Sequence, residues 1–106
     1  MNIVSNIAVA GLRSAENRFS ARAENIANAT NAGYTALRAE QFSTAAGPVV
    51  RISKSDKPRP QEARQPESDL AEELAGLIVI KNDFRAAAKL LKTADELSGS
   101  LLDILV

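Results

Sequence analysis

The residues best suited by type to acid–base chemistry are two adjacent acidic pairs, Glu72-Glu73 and Asp95-Glu96. Both pairs fall in a segment with helical periodicity, and adjacent residues on a helix do not face each other, so neither pair forms a convergent dyad. The chain has no His and no Cys, which removes the commonest general base and every thiolate ligand. We find no glycine-rich phosphate loop and no metal-ligand motif. The sequence therefore predicts no catalytic residue, no metal, no cofactor and no enzymatic activity.

Composition and charge exclude further classes of function. The 106 residues carry 13 Lys and Arg against 13 Asp and Glu, and this zero net charge argues against a nucleic-acid partner. No apolar run approaches the roughly 20 residues of a membrane span. Residues 1–12 hold no positive charge, so the N-terminus does not resemble a cleaved signal peptide. These features predict a protein that stays in the cytoplasm or leaves it without a cleaved signal.

The N-terminal segment has the pattern of one long helix. Residues 3–29 contain no Pro and a single Gly, and Leu12, Phe19 and Ile26 recur at intervals of seven. Ala8 and Ala15 fall on the same face, which Arg22 interrupts. Polar residues and Gly33 then mark the end of the helix.

The C-terminal segment has a stronger helical pattern over residues 68–105. Its apolar residues follow one another at steps of three or four, which is typical of a long amphipathic helix. They are Leu70, Leu74, Leu77, Ile80, Phe84, Ala87, Leu91, Ala94, Leu97, Leu101 and Ile104.

Residues 34–67 connect the two patterns. Gly47 to Ser53 is a short β-prone run, and Lys54 to Glu67 holds three of the four prolines with many charges, which is typical of a loop. We therefore predict an all-α fold, in which two long terminal helices pack as an antiparallel coiled coil around a short irregular or β-prone central segment. The three parts are residues 1–33, 34–67 and 68–106, and the two helices form one domain.

The helical faces also predict self-association. The N-terminal stripe is thin because alanine occupies alternate contacts, whereas Ile78, Ala88 and Leu102 broaden the C-terminal stripe. One helix cannot cover the broader face, so we expect other copies of the chain to complete the core. Because helical stability comes mainly from packing one face, an isolated monomer is expected to be marginal.

Two stretches resemble a known family. Residues 21–34, Ala-Arg-Ala-Glu-Asn-Ile-Ala-Asn-Ala-Thr-Asn-Ala-Gly-Tyr, are similar to the N-terminal signature of bacterial flagellar rod and hook proteins. Asp69-Leu-Ala-Glu-Glu-Leu, Leu77-Ile-Val, Phe84, Ala88-Lys89, Thr93-Ala-Asp-Glu-Leu and Leu101-Leu-Asp-Ile follow the order of the C-terminal signature. The chain lacks the family's usual Asn before Ala88-Lys89, and has Ala32 where Pro often precedes Gly-Tyr. Its short centre is closest to the small proximal rod proteins.

The resemblance implies a structural subunit of the flagellar basal-body rod, and therefore a role in motility. Such a subunit is exported unfolded through the type III export apparatus without a cleaved signal, and polymerises helically in the periplasmic rod with other copies and other axial proteins. Two alternatives remain open at this point. One is another axial, junction or adaptor subunit of the flagellar apparatus, and the other is a cytoplasmic helical-hairpin export chaperone or regulator.

The helical stripes identify the candidate packing residues, and the resemblance identifies a turn motif. The twelve large apolar residues Leu12, Phe19, Ile26, Leu70, Leu74, Leu77, Ile80, Phe84, Leu91, Leu97, Leu101 and Ile104 are expected to pack between helices or subunits. Asn25, Asn28, Gly33 and Tyr34 form the family's turn motif, which would redirect the chain out of the helix pair. The simpler interpretation of Gly33 and Tyr34 is a helix stop followed by a half-buried tyrosine. Asn25, Asn28 and Asn31 recur every three residues, which predicts either a solvated, fraying helix end or hydrogen bonds to neighbouring subunits.

Overall fold

The structure is a computed structural model that describes residues 2–31, 33–55 and 66–106. Four elements follow one another: helix α1 (Ile3–Ala27), strand β1 (Leu37–Thr44), strand β2 (Gly47–Lys54) and helix α2 (Pro66–Leu105). Most of the loop predicted over residues 54–67 lies outside the described residues. The molecule is elongated, with extents of 68 × 22 × 15 Å.

Helix α1 is closed at both ends by asparagine side chains. The Asn2 Oδ1 accepts a hydrogen bond from the Ser5 backbone N–H at 2.8 Å, which satisfies one of the unpaired donors of the first turn. At the other end Asn28 is the C-cap, and both its backbone N–H and its Nδ2 donate to the Glu24 carbonyl oxygen. The absence of proline between these caps lets the helix run for 25 residues.

Helix α2 runs antiparallel to α1. Its first residue is Pro66, which a helix tolerates in the first turn because the backbone N–H there has no partner within the helix. The Arg22 side chain contacts Glu73 near the start of α2, and Asn2 Nδ2 donates to Ser98 Oγ at 3.3 Å near its end. Residues 99–105 extend beyond the level of Asn2 by about 10 Å.

The central segment forms an antiparallel β-hairpin, so the prediction of an all-α fold is wrong. Strands β1 and β2 pair from Leu37 opposite Lys54 to Thr44 opposite Gly47. The prediction included the β-prone run of β2 but not its partner strand. β1 contains Ala, Glu and Gln, which have low intrinsic strand propensity, and pairing with β2 determines its conformation.

The hairpin packs against α1 through its turn and one face. Gly47 is buried with a φ of 115°, and a Cβ at this position would lie 2.7 Å from the Ala10 Cβ. Only glycine combines that backbone conformation with so close an approach. Further along, Ser14 Oγ donates to Gln41 Oε1 at 3.0 Å. Helix α1 is therefore enclosed between α2 and the hairpin.

Candidate assembly surface

Small side chains form the buried interior. The described residues that are less than a tenth exposed are mostly Ala and Ser, and Ile80 is the one large aliphatic residue among them; they are Ser5, Ala8, Ser14, Ala15, Ala21, Asn25, Gly47, Ile80 and Ala94. Where the two helices meet, a Cβ on Gly11 would lie 3.3 Å from the Ala87 Cβ. Glycine and alanine at this contact let the two helices pack closely.

The predicted packing residues separate into three groups by exposure. Ile80 is buried at 3% exposure. The half-buried residues are Leu12, Ile26, Leu77 and Leu91. The exposed residues are Phe19, Leu70, Leu74, Phe84, Leu97, Leu101 and Ile104. Most of the large apolar area of α2 is therefore left uncovered by the described part of the chain.

An open apolar groove lies where the two helices meet near their centres. Its volume is about 480 Å³, and it is lined by Ala15, Phe19, Ser20, Ile80 and Phe84, with Glu16 and Lys81 at its rim. Phe19 and Phe84 are 48% and 40% exposed, while Ile80 forms the floor. A groove of this kind offers aromatic walls to an aliphatic or aromatic side chain from outside.

At one end of the helix pair, four side chains form a hydrogen-bonded cluster that we call the polar joint: Arg22, Asn25, Tyr34 and Glu73. Asn25 is its centre and is 7% exposed. Its Oδ1 accepts from the Leu37 N–H and the Tyr34 hydroxyl, both at 2.7 Å. Its Nδ2 donates to the Leu37 carbonyl at 2.9 Å and to Glu73 Oε1 at 3.2 Å. The Asn25 amide thus uses both of its acceptor and both of its donor positions, and it connects α1 with α2 and with the start of β1.

Arg22 of α1 completes the joint by reaching across to α2. Its Nη1 lies 3.2 Å from Glu73 Oε2, and its guanidinium lies across Gly76, where an added Cβ would collide with it. Arg22 interrupts the apolar face of α1 in the sequence, and that interruption was the available signal for a polar contact. Sequence reasoning did not identify Glu73 or Gly76, because their roles depend on how the two helices are aligned.

The Tyr34 phenol is held in its protonated form. Partial burial raises its pKa above the ordinary 10.0, the negative charge of Glu24 raises it further, and Glu73 adds a smaller effect in the same direction. A backbone hydrogen bond with Leu37 acts the opposite way. The neutral hydroxyl is the form that can donate to Asn25, so burial and charge both favour the joint.

The structure brings only two of the four predicted turn residues into direct contact. Asn25 and Tyr34 are hydrogen-bonded, whereas Asn28 caps α1 through Glu24. Gly33 does not adopt a positive φ, and its N–H donates to Asn31 Oδ1 at 3.2 Å. The helix stop is therefore provided by Asn28, and the family role of the motif stays a prediction.

Charged side chains connect the helices at one further position. Arg18 Nη1 lies 2.8 Å from Asp83 Oδ2, across the α1–α2 contact. Lys92 and Glu96 form an exposed i,i+4 pair at 3.8 Å, an arrangement that contributes little stability. Across residues 2–31, 33–55 and 66–106 no three side chains are grouped so as to hold a metal ion.

Comparison with known proteins identifies the C-terminal part of the chain. Residues 68–104 match the family described as flagellar basal body rod FlgEFG protein C-terminal. The match supports a relation of this segment to flagellar basal body rod proteins. The resemblance drawn from the C-terminal signature is confirmed, and the N-terminal signature stays a prediction. Comparison with curated proteins and with solved structures gave no match.

The rod-family match covers nearly all of α2, the helix that carries most of the exposed apolar residues. The family is structural rather than enzymatic, and the match indicates a structural role at the flagellar basal body in association with other flagellar proteins. No helix in the described part of the chain combines the length and hydropathy that crossing a bilayer requires.

Proposed function

We propose that the chain is a structural subunit of the bacterial flagellar basal-body rod that polymerises helically through its two helices. It is exported unfolded through the type III apparatus without a cleaved signal, and it occupies the periplasmic rod. The observation that carries the proposal is the position of the rod-family match. It falls on a helix whose large apolar side chains are mostly exposed in the single chain.

The exposed surface of α2 requires a partner for a physical reason. Monomeric soluble proteins rarely leave a large contiguous apolar surface in water, because each uncovered area forgoes hydrophobic stabilisation. Leu97, Leu101 and Ile104 are 61%, 62% and 79% exposed. The side chains that α1 buries within one chain are mainly Ala and Ser, and they cannot cover these large residues of α2.

Assembly would then supply the stability that the single chain lacks. Binding to the folded state stabilises it by mass action, so a chain with a weak intramolecular core gains stability on docking. A contact between two different surfaces of the same subunit does not close, and it therefore extends into a helical polymer. The weak core also suits a chain that must unfold for export.

A charge placed on the exposed face of α2 tests the polymer. In Leu101→Asp the folded single chain should keep its helix content because Leu101 is exposed, whereas assembly should be lost through burial of an unpaired carboxylate. Circular dichroism checks the first expectation and sedimentation velocity over a range of concentrations checks the second. Ser100→Asp adds the same charge at the adjacent exposed position and is the matched control. Polymer of normal yield from Leu101→Asp would contradict the proposal.

Leu91→Asp extends the same test to the half-buried part of the stripe. This substitution should also abolish assembly, and it should lower the helix content of the single chain because Leu91 is partly covered within the chain. Loss of helix content in Leu91→Asp but not in Leu101→Asp would separate the internal contact from the contact between copies.

Cell fractionation tests the location. A rod subunit should be found outside the cytoplasm, and disabling the export gate should retain it inside. A cytoplasmic export chaperone would remain inside whether or not the gate works, and that result would reject the rod proposal. A junction or adaptor subunit would be exported yet would not form a polymer when purified.

A further inference from the structure

We infer that the C-terminal end of α2 from one copy docks in the groove at Phe19 and Phe84 of the next copy, with the α2 helices parallel and axially staggered. The inference deepens the proposed function and rests on it, because it names the contact through which copies polymerise. Three features of the described chain support it: the groove, the uncovered end of α2 and the distribution of charge along that helix.

The groove is suited to aliphatic side chains. Its walls are the half-exposed rings of Phe19 and Phe84, and its floor is Ile80. Its volume of about 480 Å³ is in the range of sites that accept a ligand of several carbon atoms. The rim carries one cation, Lys81, and one anion, Glu16, so an entering segment with a single charge can find an opposite charge.

The end of α2 has the complementary chemistry. Residues 99–105 extend past Asn2, where α1 no longer lies beside them, and a Cβ added at Gly99 would meet nothing within 4 Å. Leu101, Leu102, Ile104 and Leu105 are all more than 60% exposed. Asp103 is the one charged residue in this stretch, so the end of the helix is apolar with a single carboxylate.

The charges along α2 determine which stagger is favourable. The middle of the helix is basic through Lys81, Arg85, Lys89 and Lys92, while Asp83 is already paired with Arg18 of the same chain. Within the described residues Lys81, Arg85 and Lys89 form no ion pair. The part of α2 that follows Lys92 is acidic.

That acidic part consists of Asp95, Glu96 and Asp103. In-register parallel helices would place like charges side by side, which is unfavourable. A shift of about 30 Å, or about 20 residues at 1.5 Å each, brings Asp103 of one copy between Lys81 and Arg85 of the next. The same shift brings the leucines around Asp103 to the level of Phe84 and Lys92 to the level of Glu72. It also brings Asp95 and Glu96 close to Glu73, so the register rests on Asp103 and on the apolar residues around it.

Each copy uses two different surfaces in this contact. The first copy in a row keeps a vacant groove and the last keeps an uncovered helix end, so the row does not close. The contact thus gives the polymer a direction and a fixed axial step.

Engineered cysteines test the contact directly, since the chain has no cysteine of its own. Ser20→Cys in the groove and Ile104→Cys at the helix end are made in separate, differently tagged full chains, mixed, assembled and mildly oxidised. We expect a mixed disulfide between the two chains. Ser43→Cys, at an exposed serine of β1, replaces Ser20→Cys in the control.

Two results of the cross-linking experiment would overturn the inference. One is a mixed disulfide that forms no faster at Ser20→Cys than at Ser43→Cys. The other is a disulfide that forms mainly between two Ile104→Cys chains, because that product indicates a symmetric contact of two helix ends.

A charge exchange tests the register. Lys81→Glu and Asp103→Lys should each raise the concentration needed for assembly by about fivefold, because each replaces an attraction with a repulsion. The double variant should return that concentration to within twofold of the parent chain. A double variant as defective as the sum of its singles would overturn the register.

The parent chain separates the two levels of failure. If it remains monomeric at every concentration and is not exported, the proposed function fails and the docking contact fails with it. If it polymerises while the Ser20→Cys and Ile104→Cys chains do not cross-link, only the docking contact fails.

Discussion

The polar joint and the C-terminal end of α2 are opposite ends of one helix pair and are built in opposite ways. At the joint, the Asn25 amide uses all four of its hydrogen-bonding positions within the chain. At the other end, Leu101 and Ile104 project into solvent with no α1 residue beside them. Directional hydrogen bonds fix the first region within one chain, while the non-directional hydrophobic effect leaves the second open to a neighbour.

This difference separates folding from assembly along the same helix. A substitution in the joint should destabilise the single chain, because it leaves buried polar groups unpaired. A charge placed on an exposed apolar side chain at the open end should affect mainly the association of copies.

Removal of the Asn25 amide should break the joint. Asn25→Ala removes the partner of the Leu37 backbone groups and of one Glu73 oxygen, together with one hydrogen bond of the Tyr34 hydroxyl. We expect a loss of about 3 kcal/mol in the free energy of unfolding. Asn28→Ala is the matched control, since that side chain makes a single exposed bond to Glu24, and its cost should be about 1 kcal/mol or less. Urea unfolding followed by circular dichroism, at a concentration where the chain is monomeric, measures both. Equal losses would show that the joint has no special role.

Alanine at two glycines of α2 compares the regions with the same chemical change. Gly99→Ala meets open space and should stabilise the helix by about 1 kcal/mol, the usual propensity gain. Gly76→Ala collides with the Arg22 guanidinium, so most of that gain should be lost as the Arg22–Glu73 pair is displaced. In an Arg22→Ala background, Gly76→Ala should recover the gain. Identical effects at both glycines in the parent chain would contradict the packing of Arg22.

Removal of the Tyr34 hydroxyl should have an effect no larger than that of the glycines, with a dependence on pH. Its pKa in the folded chain lies above the unfolded value near 10, so the stabilising contribution is fully present below pH 10. As the pH rises through the folded pKa, the unfolded chain ionises first and the contribution is lost. Tyr34→Phe should lower the free energy of unfolding by about 1 kcal/mol at neutral pH. The variant should not show the loss of stability that ionisation of Tyr34 causes at alkaline pH.

Spectrophotometric titration checks the tyrosine, because it is the only one in the chain and there is no tryptophan. The folded chain should titrate at a higher pH than the same chain in urea. A midpoint at or below that of the unfolded chain would reject the role of burial and of Glu24 in holding the proton.

The sequence allowed the two helices to be predicted because their apolar spacing is local and regular. It indicated β2 through Val49, Val50 and Ile52, but β1 has little strand propensity of its own and depends on pairing and on contact with α1. The twelve predicted packing residues share a helical face, yet spacing does not reveal which part of that face the chain covers itself. Alanine and serine of α1 occupy the contact, and most of the large residues remain exposed.

The joint was harder to predict for a related reason. The resemblance places Asn25 and Tyr34 in a turn motif, but Glu73 lies 48 residues from Asn25 in the sequence, and only the alignment of the helices brings the two together. Arg22 disturbed an otherwise apolar face, which is a local signal. Gly76 gave none, because a glycine in a helix has several possible causes.

The contact between Asn2 and Ser98 joins residues that are 96 positions apart. Contacts of such long sequence separation are slow to form, because the entropy of closing a long loop must be overcome before the contact contributes any energy. The hairpin reduces this cost: it is local, and its buried Gly47 against Ala10 ties the middle of the chain to α1. If the hairpin docks on α1 before the helices pair, the loop that must still close is shorter. The Gly47 contact would therefore influence the folding rate as well as the structure.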